Sequence, residues 1–122
     1  MKFRAILFTF LTTVAVPPLG AGQAVALKIT PMLSFAPARV YVNAIIESDA
    51  ANRAIRVEAE SPDFFSASEM QLDGDQAPRT TGFSFKDLPM GTYRVTATLF
   101  GAGGRIRASA AEQIHVVANG FQ

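Results

Sequence analysis

The 122-residue chain contains no cysteine and no tryptophan, and it has a single histidine, His115. Without cysteine the chain has no disulfide, thiolate zinc site, cysteine nucleophile or lipid-bearing cysteine. The absence of tryptophan removes one common group for stacking on carbohydrate. The fold must therefore be stabilised by packing alone.

Charge is also sparse and balanced, with 17% charged residues and a formal net charge of +1. Without Lys2 and Arg4, nine basic residues stand against ten acidic ones, a net charge of −1. This balance gives no electrostatic reason to expect nucleic acid or an anionic membrane as a partner. The chain is 49% apolar, which is enough for one domain with its own core and excludes intrinsic disorder.

The N-terminal residues have the three regions of a secretory signal peptide. A basic start at residues 1–4 precedes an apolar run at 5–16, and small residues follow Pro17 and Pro18. The apolar run is shorter than the roughly 20 residues of a membrane span, so a stable transmembrane anchor is not expected. We expect a signal peptide at 1–26, cut after Ala26 or alternatively after Ala24, and a domain at 27–122. The protein is then exported, either periplasmic or secreted.

Short segments of alternating apolar and polar residues follow, separated by turns every 8 to 12 residues. Ile55, Val57 and Ala59 alternate with charged residues, as in a half-buried antiparallel strand. The pattern predicts an all-β fold, a seven-stranded antiparallel two-sheet sandwich. The predicted strands are 27–33, 39–47, 54–60, 69–72, 80–85, 88–100 and 105–117. In the last strand the alternation would place Glu112 inward, which predicts a β-bulge at 109–111.

Leu88, Gly91 and Tyr93 stand in a Leu-Pro-x-Gly-x-Tyr motif at the start of a predicted strand. This motif resembles the corner before the sixth strand of immunoglobulin-like and fibronectin type III-like domains, and the strand pattern of the whole domain is similar to theirs. The resemblance implies a structural corner, in which the Tyr93 hydroxyl returns to a backbone group. The related carboxypeptidase regulatory-like sandwich is the alternative. The chain also looks like exported bacterial domains of this shape, a likeness that implies no activity.

The sequence offers no catalytic, cofactor or metal site that outweighs a structural interpretation. His115 lies in a strand, and no Gly-x-Ser-x-Gly motif presents a nucleophile. The acids Asp63, Glu69, Asp73 and Asp75 suit turns better than calcium, which needs about 6 to 8 converging oxygens, although calcium binding stays open. We therefore expect a protein that is not an enzyme and has no cofactor.

The aromatic residues are the best candidates for contact with a partner. Phe64 and Phe65 are adjacent, and Tyr41 and Phe100 lie in other strands. We expect these four to contact an unknown protein partner, in the cell envelope or outside the cell. The alternative is a small-ligand or carbohydrate-binding accessory module. Its expected contacts are Tyr41, Phe64, Phe100, Asn43, Asn52 and Asp63.

Overall fold

The computed structural model describes residues 24–119. The predicted signal peptide lies outside these residues except for Ala24, Val25 and Ala26. Val25 is the first residue of a strand, so the predicted domain boundary after Ala26 falls within that strand. In the described part of the chain, no helix is long and apolar enough to cross a membrane.

Residues 24–119 form eight strands joined by short turns. The strands are β1 (Val25–Thr30), β2 (Leu33–Phe35), β3 (Ala38–Ile46), β4 (Ala54–Ser61), β5 (Phe64–Gln71), β6 (Thr80–Leu88), β7 (Gly91–Phe100) and β8 (Ile106–Val117). Two single 3-10 turns lie in the connections, at Gly74–Gln76 and Ala102–Gly104.

The strands make two sheets, as the alternation predicts. One sheet has three strands in the order β1-β3-β6, and the other has five in the order β2-β8-β7-β4-β5. All pairings are antiparallel except that of β2 with β8, which is parallel. The five-stranded sheet is curled like half a barrel.

Two predicted elements differ in the structure. The chain changes sheets after Pro31, because proline cannot donate to a ladder. The single predicted strand at 27–33 is therefore two strands, β1 in one sheet and β2 in the other. Residues 64–71 form one continuous strand, β5, whereas the predicted strand covers only 69–72.

One hydrophobic core lies between the sheets. Each strand contributes alternate residues, as in β3, where buried Val40, Val42 and Ala44 alternate with exposed side chains. Phe83 and Phe85 add to the core from β6. The facing sheet contributes Ile55, Val57, Ala59, Tyr93, Val95, Ala97, Leu99, Ile114 and Val116.

The bulge predicted at 109–111 is wrong. The β7–β8 register runs unbroken from Gly91↔Val116 to Leu99↔Ala108, and it shifts only between Leu99 and Phe100. Glu112 shares the face of Val95 but is exposed. The Glu112 side chain reaches solvent although it is on the inner face of β8. The strand therefore needs no bulge to keep this carboxylate out of the core.

Candidate functional site

Tyr93 lies at the corner between β6 and β7. Its ring is fully buried, and its hydroxyl donates a 2.6 Å hydrogen bond to the carbonyl of Pro89. Leu88 is fully buried beside this corner, and Gly91 begins β7. Burial raises the pKa of Tyr93, so its hydroxyl stays protonated and keeps donating. This geometry gives Tyr93 a structural role.

The four aromatic side chains expected to contact a partner do not form one surface. Phe64 is half-buried and packs edge-on against Tyr93, with ring centroids 6.1 Å apart. Phe65 points to the opposite face of β5 and is 58% exposed. Tyr41 lies on the outer face of the other sheet. Phe100 lies at the far end of the five-stranded sheet, where the Arg56 guanidinium covers its ring at 5.2 Å.

Asn52, a polar contact in the ligand-binding alternative, is 1% exposed. Its Nδ2 donates to the Glu47 carbonyl at 3.0 Å, and its Oδ1 accepts from the Arg107 guanidinium. The same guanidinium donates to Asp49 at 3.1 Å. We call Asp49, Asn52 and Arg107 the loop cluster. Asn52 is buried within this cluster and is not available to a ligand.

His115 and the acidic side chains are dispersed. His115 is exposed on the outer face of the five-stranded sheet, and its Nδ1 lies 3.3 Å from the Thr92 hydroxyl oxygen. Asp63 lies in the turn between β4 and β5. Within residues 24–119, no three His, Cys, Asp or Glu side chains are placed to hold a metal ion.

Large apolar side chains are exposed at one end of the molecule. Phe35 pairs with Val117, and Leu33 pairs with His115, so all four side chains lie on the outer face of the five-stranded sheet. Met90 precedes Gly91, which pairs with Val116, and so lies at the same end. We call the following residues the apolar end: Met32, Leu33, Phe35, Met90 and Val117. They make up five of the ten large apolar side chains exposed in residues 24–119.

The sequence contains only a local signal for the apolar end. Leu33 and Phe35 alternate with Ser34 directly after Pro31, which is the pattern of a short strand with an apolar face. Their neighbour Val117 is more than 80 residues away in sequence. Only the parallel pairing of β2 with β8 brings them together.

The outer face of the five-stranded sheet also carries open grooves. One, of about 630 Å³, is lined by Glu60, Pro62, Arg94 and Gln113, among others. A second, of about 530 Å³, lies at the other end of the face and includes Phe100.

The last strand of this sheet, β5, has no partner among residues 24–119 on its far side. It is eight residues long and mostly exposed. Acidic residues are concentrated around it, because residues 54–76 hold six of the ten acids of the chain and one base, Arg56.

Comparison with solved structures identifies similar folds. The superoxide reductase (neelaredoxin) from Ignicoccus hospitalis has a TM-score of 0.60 at 14% identity, and a variant of that reductase has a TM-score of 0.61 at the same identity. Each match covers 77% of this chain and 80% of that chain. At this identity the likeness shows the fold alone.

A family 76 glycoside hydrolase from a bovine Bacteroides thetaiotaomicron strain matches at a TM-score of 0.54 and 18% identity. The match covers 75% of this chain but 20% of the hydrolase, so this fold makes up a small part of that protein. No protein-family model matches the chain, and no curated protein matches it.

Proposed function

We propose that the chain is an exported, non-enzymatic module of the immunoglobulin/fibronectin type III-like kind, which mediates protein–protein contacts in the cell envelope or outside the cell. The order β8-β7-β4 corresponds to the G-F-C order of such domains, and the three-stranded sheet corresponds to their A, B and E strands. The hydrogen bond from Tyr93 to Pro89 matches their tyrosine corner. The features of residues 1–26 support export.

The observation that carries the contact function is the apolar end. Leu33 is 64% exposed, Phe35 63%, Met90 60%, Met32 46% and Val117 37%. Leu33, Phe35 and Val117 are neighbours on one face, and exposed apolar patches of this kind mark interaction sites. Aromatic residues such as Phe35 are enriched in protein interfaces.

The test is crosslinking and affinity capture from envelope extracts with the exported protein as bait. We expect one protein to be retained by the wild type, lost on Leu33→Ser and Phe35→Ser, and kept on Ile106→Ser. Ile106 is the matched control because it is as exposed as Leu33, at 64%, but lies outside the apolar end. Equal retention by all three variants would contradict the proposal.

The second candidate function is binding of a small polar molecule or carbohydrate, supported by the grooves on the outer face of the five-stranded sheet. Phe100 lies in one of these grooves beneath the Arg56 guanidinium, and Arg56 and Gln71 supply polar atoms there. A thermal-shift screen with sugars, and with calcium as a separate arm, tests this candidate. A shift that disappears on Phe100→Ala supports the second function, whereas no shift with any compound counts against it.

A further inference from the structure

The strand β5 is an edge of its sheet and has no lysine, proline or bulge to prevent pairing. Natural edge strands are kept from pairing by short length, lysine, proline or bulges. The other three edges of the structure have such devices. Strand β2 is only three residues long. Strand β1 contains Lys28 and is followed by Pro31. Strand β6 contains Lys86 next to Asp87, which has a positive φ. By contrast, β5 has eight residues, no proline, no lysine and an unbroken register with β4.

The turn between β4 and β5 determines which backbone groups face the free edge. Pro62 and Asp63 form a two-residue connection closed by the pair Ser61↔Phe64. The closing pair of such a hairpin is hydrogen-bonded, and bonded pairs alternate from there along an antiparallel ladder. Four residues therefore direct their N–H and C=O groups away from β4. They are Phe65, Ala67, Glu69 and Gln71.

The charge around this edge indicates what pairs with it. Glu58 and Glu60 on β4 and Glu69 on β5 lie on the outer face, and Asp63, Asp73 and Asp75 lie in the flanking turns. The Arg56 guanidinium forms salt bridges with the carboxylates of Glu58, at an N–O distance of 3.6 Å, and Glu69, at 3.2 Å. Arg94 on β7 is opposite Glu60, but the six acids still exceed Arg56 and Arg94. The region therefore keeps a net negative charge, which attracts a cationic strand. Two copies of the same acidic edge would repel each other, so a second copy of this chain is disfavoured.

We propose that β5 binds an extended, lysine- or arginine-containing peptide segment of a partner protein, which adds to the sheet as a sixth strand. Backbone hydrogen bonds to Phe65, Ala67 and Glu69 supply the register, as in other cases of strand addition. On the outer face, cationic side chains of the added strand lie next to Glu69 and extend across Ala67 and Phe65 toward Glu58 and Glu60 on β4. This surface is separate from the apolar end and does not depend on the contact function proposed there.

The first test uses a defined probe, an acetylated and amidated nine-residue peptide of alternating lysine and valine, with the full exported protein at 50 mM salt. The main variant is Ala67→Pro, which removes an N–H that faces the free edge without removing a bond to β4. We expect it to weaken binding at least about tenfold, the effect of about 1.4 kcal/mol. Ala67→Thr keeps the N–H and is the matched control, with an affinity within about twofold of the wild type.

Two further arms test the backbone and the charge separately. A peptide N-methylated on the edge that faces β5 should not bind, and this arm remains informative if Ala67→Pro does not fold. A glutamate–valine peptide should not bind either, and Glu58→Gln with Glu60→Gln should flatten the salt dependence of the lysine peptide. Phe35→Ser should bind the lysine peptide like the wild type, which separates this proposal from the apolar end.

Several outcomes overturn the proposal. They are an absence of lysine-peptide binding at millimolar concentration, unchanged binding to Ala67→Pro, and equal affinity for the glutamate peptide. Sedimentation of the protein without peptide can give one further outcome that overturns the proposal. A dimer of the wild type that Ala67→Pro dissociates would assign the edge to a second copy of this chain.

Discussion

At the scale of single residues, Tyr93 does the most to define the corner between β6 and β7. Its buried ring packs against the Phe64 ring in a T-shaped arrangement. Its hydroxyl donates a hydrogen bond to the carbonyl of Pro89. The sequence motif predicts this role because all of its residues lie within six positions along the chain. Local patterns of this kind are the part of a fold that sequence predicts best.

Tyr93→Phe removes the hydrogen bond to Pro89 and leaves the ring packing in place. We expect it to lower the free energy of unfolding by about 1 kcal/mol, the usual net value of one hydrogen bond. Urea denaturation measures the change. Tyr41→Phe makes the same chemical change at a side chain that is 51% exposed and should alter stability by less than about 0.5 kcal/mol. Equal effects of the two substitutions would contradict the role of the hydroxyl.

Asp49 is the residue whose ionisation should affect stability. The hydrogen bond from the Ala51 N–H and the charge of Arg107 hold the pKa of Asp49 below its usual value. A lowered folded-state pKa means that the ionised carboxylate stabilises the fold at neutral pH, and that this contribution is lost as pH falls below about 4. Asp49→Asn should therefore melt at a lower temperature than the wild type at pH 7. The two melting temperatures should converge between about pH 4 and pH 2, and a gap that is constant with pH would contradict this account.

At the scale of elements, the loop cluster ties β8 to the connection between β3 and β4. Arg107 lies at the register shift opposite Leu99 and Phe100, and its guanidinium reaches both Asn52 and Asp49. Glu47 accepts from the other side of Asn52. The buried amide of Asn52 is thus satisfied by two separate strand ends.

Arg107→Ala leaves the Asn52 Oδ1 buried without its donor. A buried polar atom that loses its partner costs about 1–3 kcal/mol, and we expect a loss of stability in that range. Chemical denaturation measures it. Arg105→Ala, two residues away and exposed, is the control and should change stability by less than about 0.5 kcal/mol. A small effect of Arg107→Ala would mean that water replaces the guanidinium.

The start of β1 bears on the processing of the chain. Val25 is 2% exposed in the core and pairs with Ile46. A cut after Ala26 would remove this valine, whereas a cut after Ala24 leaves β1 whole. Under the proposed export, we expect the mature protein to begin at Val25, which intact mass measurement checks. A version beginning at Leu27 should be less stable than one beginning at Val25 by about 1.5–3 kcal/mol, the value of burying one such side chain.

The sequence predicts some elements well and others poorly, for physical reasons. Strands such as β3 and β4 are predicted because one face is buried and the alternation is local. The bulge predicted at 109–111 is wrong because alternation cannot tell whether the facing sheet covers a given residue. In β8, Ile114 and Val116 are buried but Glu112 on the same face is exposed, so the pattern changes without a change of register.

At the scale of the whole molecule, the candidate surfaces depend on distant pairing. The apolar end needs β2 beside β8, and the free edge of β5 exists because β5 is the last strand of its sheet. Neither condition can be read from local composition. The four aromatic candidates for partner contact are distributed by the topology over two sheets and opposite faces. They are Phe64, Phe65, Tyr41 and Phe100.

The two termini of the described chain lie at opposite ends of β3. Val25 is beside Ile46, and Val117 is next to Ala36, just before β3 begins. The nine residues of β3 make this separation about 25 Å. Tension applied between the two ends would run along the strands, so that the bonds between β1 and β3 and between β2 and β8 share the load in shear. A module placed under tension between two attachment points would therefore resist extension through many hydrogen bonds at once, because none of these ladders can open one bond at a time.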